Sequence, residues 1–125
     1  MRKYKKTSPK KIKSKNISDN TVAVVFAEGN IVVGKGDEQS IGGKRLSKSL
    51  RNIRLDENID ALVLRVNSPG GSGLASEKIW REISLIREEK PVVVSMGNFA
   101  ASGGYYISCA ADHIFAQPNT ITGSI

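Results

Sequence analysis

Residues 92–108 read VVVSMGNFAASGGYYIS. A β-branched apolar run gives way to small residues, with one hydroxyl, Ser102, set between two alanines and two glycines. After them comes a stretch from Tyr105 to Ala111 that can form a helix. A strand, a glycine-rich loop and a helix in that order are one unit of an α/β fold. The question it raises is why a serine stands at the junction.

The same pattern occurs upstream. ALVLRVN (61–67) reads as a buried strand and Ser68-Pro69-Gly70-Gly71-Ser72 as a sharp loop after it. In the segment that follows, Leu74, Ile79, Trp80, Ile83 and Ile86 mark one helical face up to Glu89. Lys90-Pro91 ends that helix, because proline disfavours helical geometry in the residue before it. Further out, TVAVVFAEG (21–29) reads as another buried strand, a turn at Glu28-Gly29-Asn30 leads into a short strand IVVG (31–34), and a polar, glycine-rich loop runs from Lys35 to Gly43. In KRLSKSLRNIR (44–54), Leu46, Leu50 and Ile53 recur at helical spacing. HIFA (113–116) is a last short strand before Pro118. Strands alternating with helices predict an α/β domain with a mainly parallel sheet.

Composition sets the outer bounds. At 125 residues, 39% hydrophobic and 25% charged, the chain suits one globular domain or part of one. No apolar run approaches the ~20 residues that cross a bilayer. One cysteine and one histidine supply too few ligands for a zinc-type site, and no cofactor is implied. Cys109, among small and apolar residues, reads as a buried thiol. Residues 1–20 hold eight Lys or Arg against Asp19 alone, so the whole net charge of +7 lies there and the remainder is neutral. Residues 1–20 therefore read as a basic linker or arm, and residues 21–125 as the folded part. With no aromatic platform beyond Tyr4, nucleic acid is not the expected partner.

In parallel α/β sheets, sites gather where strand ends lead into helices. Two such junctions here are glycine-rich, Ser68–Ser72 and Ala100–Gly104. Helix-start amides are unpaired, and two sets facing one point could hold a developing oxyanion. Each junction also has an ordinary reading: Ser-Pro-Gly-Gly is turn chemistry, Ser102 is a plausible helix cap, and a glycine loop before a helix can hold phosphate. Taken together, a serine at one junction and Gly-Gly at the other are the two halves of an acyl-transfer site.

LRVNSPGGSGLASEKIWREI (64–83) and KPVVVSMGNFAASGGYYISCAADHIFAQPNTITGSI (90–125) closely resemble the protease domain of signal peptide peptidase A, a bacterial membrane-bound serine protease. The likeness runs from about Thr21 to Ile125. It implies a Clp protease/crotonase-like α/β fold of ββα-type units, here truncated, and it casts Ser102 as nucleophile. It casts Gly70 as the likelier first oxyanion donor, with Gly71 the alternative, and Gly103 as the second. It further implies remnant signal peptides as substrates, a ring-shaped homo-oligomer, and an anchor in the bacterial inner membrane through a segment outside this chain, with the protease domain extracytoplasmic.

Members of that family use a lysine as general base, which must be neutral near physiological pH and so buried or near another cation. Lys90 belongs at the far end of its strand, on the order of 20 Å from Ser102. Lys78 lies on the polar side of its helix, and Lys35 and Lys44 flank a loop with nothing to bury them. No lysine here matches the family's base, so the chain reads as the serine-bearing part of a longer domain, inactive alone, its lysine supplied from outside. A triad drawn from Ser102, His113 and Asp112 is disfavoured, because adjacent strand residues point to opposite faces. His113 reads as a surface or edge residue. Two rival functions are a crotonase-type acyl-CoA enzyme and a non-catalytic ring-forming module.

Overall fold

The computed structural model describes residues 19–124. The expected basic arm falls almost wholly outside the described residues. Ten elements follow in order: β1 (Val22–Glu28), β2 (Asn30–Val32), β3 (Ser40–Gly42), α1 (Gly43–Leu55), β4 (Ala61–Ser68), α2 (Gly73–Arg87), β5 (Val92–Ala101), α3 (Gly103–Ser108), β6 (His113–Phe115) and β7 (Ile121–Gly123). The main sheet runs β1-β4-β5-β6, with β7 paired to the later half of β5, and β2 pairs with β3 in a separate ladder. Every pairing is parallel. This is the expected α/β architecture.

The strand order advances in one direction across the sheet. Right-handed crossovers then place every connecting helix on the same face. On that face Leu62, Leu64 and Val66 of β4 and Val92, Val94 and Met96 of β5 form one core with Leu46 and Leu50 of α1 and Ile79, Ile83 and Ile86 of α2. The buried positions of α2 are Ala75, Ser76, Ile79, Ile83 and Ile86. Leu74, assigned to that stripe from spacing, is instead 61% exposed, because it lies one residue off the stripe.

The other face is open. TVAVVFAEG reads as a strand buried on both sides, yet Val22, Val24 and Phe26 are 53%, 54% and 52% exposed, while Ala27 on the opposite face is buried. In register, Phe26 lies beside Arg65, Arg65 beside Ser95, and Ser95 beside Phe115. Arg65 is held across this face by bonds from Nη1 to Ser95 Oγ (2.8 Å) and to the Met96 carbonyl (2.9 Å).

β5 is longer than its apolar run. It carries on through Gly97–Ala101 after an irregularity: Val66 pairs with Met96 but Ser68 pairs with Ala100. Asn67 fills the gap, its Oδ1 accepting the Phe99 N–H at 3.1 Å. The shift re-aims the end of β5 towards the Ser68–Ser72 loop. β7 then pairs with Phe99–Ala101, a strand that its short polar surroundings conceal in the sequence.

Removing side-chain volume from the two-layer core should be costly. Leu64→Ala is expected to lose about 2–5 kcal/mol of stability, and Val24→Thr on the open face to change it by about 0.5 kcal/mol or less, both read by urea denaturation.

Candidate active site

Two strand ends meet at the site. After β4, Ser68 is fully buried, and its Oγ donates to the Gly29 carbonyl (2.6 Å) while accepting the Gly70 N–H (3.1 Å). Ile31 of β2 clamps the loop from the other side: its N–H donates to the Gly70 carbonyl (2.9 Å), and its own carbonyl accepts the Ser72 N–H (2.8 Å). Ser72 caps α2, its Oγ accepting the Ala75 N–H at 3.2 Å. These bonds hold Gly70 at φ +104° and Gly71 at φ +149°, backbone that glycine tolerates and other residues resist.

After β5, Ser102 occupies the cap position of α3 at φ 52°, ψ −121°, and its side chain makes no capping bond. A non-glycine residue held at positive φ costs on the order of 1–3 kcal/mol and persists only when its surroundings fix it. They do so here: the Ser102 N–H donates to the Gly123 carbonyl (2.8 Å) and its carbonyl accepts the Tyr106 N–H (2.9 Å). The hydroxyl is exposed and makes no hydrogen bond among the described residues. The cap reading thus fails at Ser102, whereas Ser72 does cap.

The two junctions are in contact. A Cβ built on Gly70 would lie 2.7 Å from the Gly103 nitrogen and 2.8 Å from Ser102 Cβ. Gly104 is pressed equally hard on β4, where a Cβ would come 2.5 Å from the Ser68 carbonyl oxygen. Beside this contact opens a cleft of ≈ 600 Å³ lined by Gly71, Ser102 and Gly103, with Ser76 and Glu77 from α2 and Tyr106 from α3. The N–H groups of Gly71 and Gly103 have no acceptor among the described residues, while that of Gly70 is taken by Ser68. Of the three glycines, Gly71 and Gly103 therefore keep an unbonded N–H among the described residues, and both line the cleft.

Cys109 corrects a sequence expectation. Its thiol is exposed, not buried, bonding the Tyr106 carbonyl at 3.0 Å and lining the same cleft. Tyr106 donates its O–H to Glu77 Oε2, and that bond raises the phenol's pKa above the usual value.

No lysine lines the cleft among the described residues. Lys90 Nζ donates to the Ile53 and Asp56 carbonyls (2.7 and 2.6 Å) at the C-terminal end of α1. Lys90 precedes the start of β5 and Ser102 follows its end, so the two stand at opposite ends of that strand, as the sequence suggested. Lys44 and Lys78 line a separate groove between α1 and α2, and Lys35 is exposed. His113 pairs beside Val93, near the start of β5, and packs its ring on Phe115 at 4.7 Å. Asp112 is engaged elsewhere: it accepts the Val92 N–H (2.8 Å) and Arg87 Nε (2.9 Å). Ser102, His113 and Asp112 are not assembled into a triad.

A parallel α/β sheet with two glycine junctions closed on one serine is the architecture of the Clp-like proteases. The chain superposes on ClpP1 from Listeria monocytogenes with a TM-score of 0.61 and 27% identity, covering 79% of this chain and 52% of that one. Residues 84–125 match the model of peptidase family S49. The chain is 52% identical over 107 residues to Protease 4 of Haemophilus influenzae, covering 85% of this chain, and spans 17% of that relative's length. It is 43% identical over 108 residues to the chloroplastic serine protease SPPA of Arabidopsis thaliana, covering 83% of this chain and 16% of that protein. The resemblance to signal peptide peptidase A read from the sequence holds.

Two substitutions separate the closeness of the junctions from backbone strain alone. Gly123, at φ +89°, has open space where a Cβ would go, so Gly123→Ala should cost about 1–2 kcal/mol. Gly70→Ala adds collisions and should cost about 3 kcal/mol or more, both by thermal or urea melts. A third concerns acid. The Val92 N–H, and then Arg87, hold the Asp112 carboxyl below the ordinary carboxylate range. A depressed folded pKa contributes stability that is full above that range and lost as pH falls through it. Asp112→Asn should therefore flatten the acid limb of the stability–pH curve, measured by melts at descending pH.

Proposed function

We propose that Ser102 is the nucleophile of a serine peptidase and that the Gly71 and Gly103 amides hold the oxyanion. The observation that carries this reading is the Ser102 hydroxyl itself: held on strained backbone, unused by the fold, and lining one cleft with Gly71 and Gly103. A module needing only a helix cap gives no reason for that conformation. Gly71 takes the place given first to Gly70, since Ser68 Oγ already holds the Gly70 N–H. Ser68 thereby positions the loop and not the substrate.

In the proposed reaction a lysine amine from outside this chain removes the proton from Ser102 Oγ, which attacks the peptide carbonyl carbon. The oxygen gains the negative charge and receives the two N–H donors, an arrangement worth about 3–4 kcal/mol per donor in comparable sites. Collapse breaks the C–N bond and the lysine returns its proton to the leaving amine. Water, deprotonated by the same lysine, then releases the acyl group from Ser102. The cleft beside the serine, lined by Gly71, Gly73 and Gly103, leaves room for an extended peptide backbone. Remnant signal peptides as substrates, a ring-shaped assembly and anchoring at the extracytoplasmic face of a bacterial inner membrane belong to the same proposal and are carried by the sequence resemblance. The reading of residues 1–20 as a basic linker or arm belongs to it as well.

A peptide boronate should form a four-coordinate adduct on Ser102, seen by boron NMR and intact mass, and Ser102→Ala should abolish it. Failure of the unsubstituted chain to form the adduct would sink the reading. Fluorogenic peptide turnover by the isolated chain should stay near background until a lysine-bearing partner is restored.

A further inference from the structure

We infer that the cleft beside Ser102 selects peptides carrying a basic side chain next to the scissile carbonyl, and that the Glu77 carboxylate makes the selection. The inference rests on the peptidase reading above. α2 begins at the Ser68–Ser72 loop, so its first turns stand beside the site and present Ser76 and Glu77 to the cleft that Ser102 also lines. Tyr106, from α3, donates its O–H to Glu77 Oε2. That bond fixes the carboxylate at the wall and leaves Oε1 without a partner among the described residues. The same bond raises the phenol's pKa, so Tyr106 stays a donor through neutral pH.

Glu77 makes no ion pair among the described residues, although Arg81 stands one turn further along α2. The ion pairs among the described residues are Arg54–Glu82 and Arg87–Asp112. Lys78, the next residue, lines the groove between α1 and α2 instead. Glu77 is therefore the one charged side chain lining the cleft among the described residues, with Tyr105 and Tyr106 as apolar walls. A lysine or arginine side chain suits both features: its methylene stem lies along apolar surface while the charged tip reaches a carboxylate. An acidic side chain meets repulsion, and a purely aliphatic one leaves the carboxylate unanswered.

Peptide boronates that differ only in the side chain on the boron-bearing carbon test this. Aminoalkyl, isobutyl and carboxyalkyl versions are titrated against the chain, with adduct formation at Ser102 as the readout. The aminoalkyl compound should bind about three- to five-fold tighter than the isobutyl one, the range of an exposed ion pair, and the carboxyalkyl compound should bind weakest. Glu77→Gln should collapse these ratios towards one, Glu77→Lys should reverse them, and ~1 M salt should compress them in the unsubstituted chain. Unchanged melting curves for both variants keep the comparison clean, as expected for an exposed side chain. Adducts on Ser102 with no charge preference, or a preference that survives Glu77→Gln, overturn the inference and leave the peptidase reading standing. No adduct with any of the three overturns both.

Discussion

Where β4 and β5 end, two backbones approach so closely that no side chain fits between them. A Cβ on Gly70 would sit inside contact distance of both Ser102 and Gly103. Interiors pack at near-crystalline density and do not yield by an ångström without cost, so this contact fixes much else. It requires glycine at position 70, a loop pinned by Ser68 and Ile31, and a β5 long and bent enough to arrive there. Ser102 takes up a left-handed backbone because the chain must turn from β5 into α3 within one residue of that wall. The exposure of its hydroxyl follows from the turn.

Much of this was legible in the sequence. The apolar runs at 61–67 and 92–96 announced β4 and β5, and helical spacing announced α1 and α2, because burial on one face leaves a periodic mark. The two glycine junctions were legible as a pair. What escaped were features set by partners distant in the chain. β3 and β7 are three residues each and exist because β2 and the bent end of β5 offer them a ladder. The bond from the Gly70 N–H to Ser68 Oγ, too, is a detail that no local pattern records. Cys109 was misread because small neighbours suggest burial, whereas helix phase turns its thiol to the cleft. The exposed face of β1 was hidden by a continuous apolar run that cannot say which of its two sides is covered.

Serines divide the labour of the site. Ser72 caps α2, Ser68 holds a loop, and Ser76 and Ser108 bond back to carbonyls one turn earlier (2.8 and 2.7 Å). Each has found a local partner, the usual fate of a short hydroxyl side chain. Ser102 alone among these five has not, and the difference lies in its backbone angle, since residue type is the same throughout. Backbone geometry thus keeps one hydroxyl of the five free.

The uncovered side of the sheet has a consequence for how the molecule behaves in a tube. Val22, Val24, Phe26 and Phe115 form a greasy plane interrupted by Arg65, and a formal charge of +7 keeps copies apart at low ionic strength. Near 1 M salt the Debye length shrinks to ~3 Å, and that mutual repulsion disappears while apolar adhesion strengthens. The same exposed plane therefore couples the chain's self-association to ionic strength.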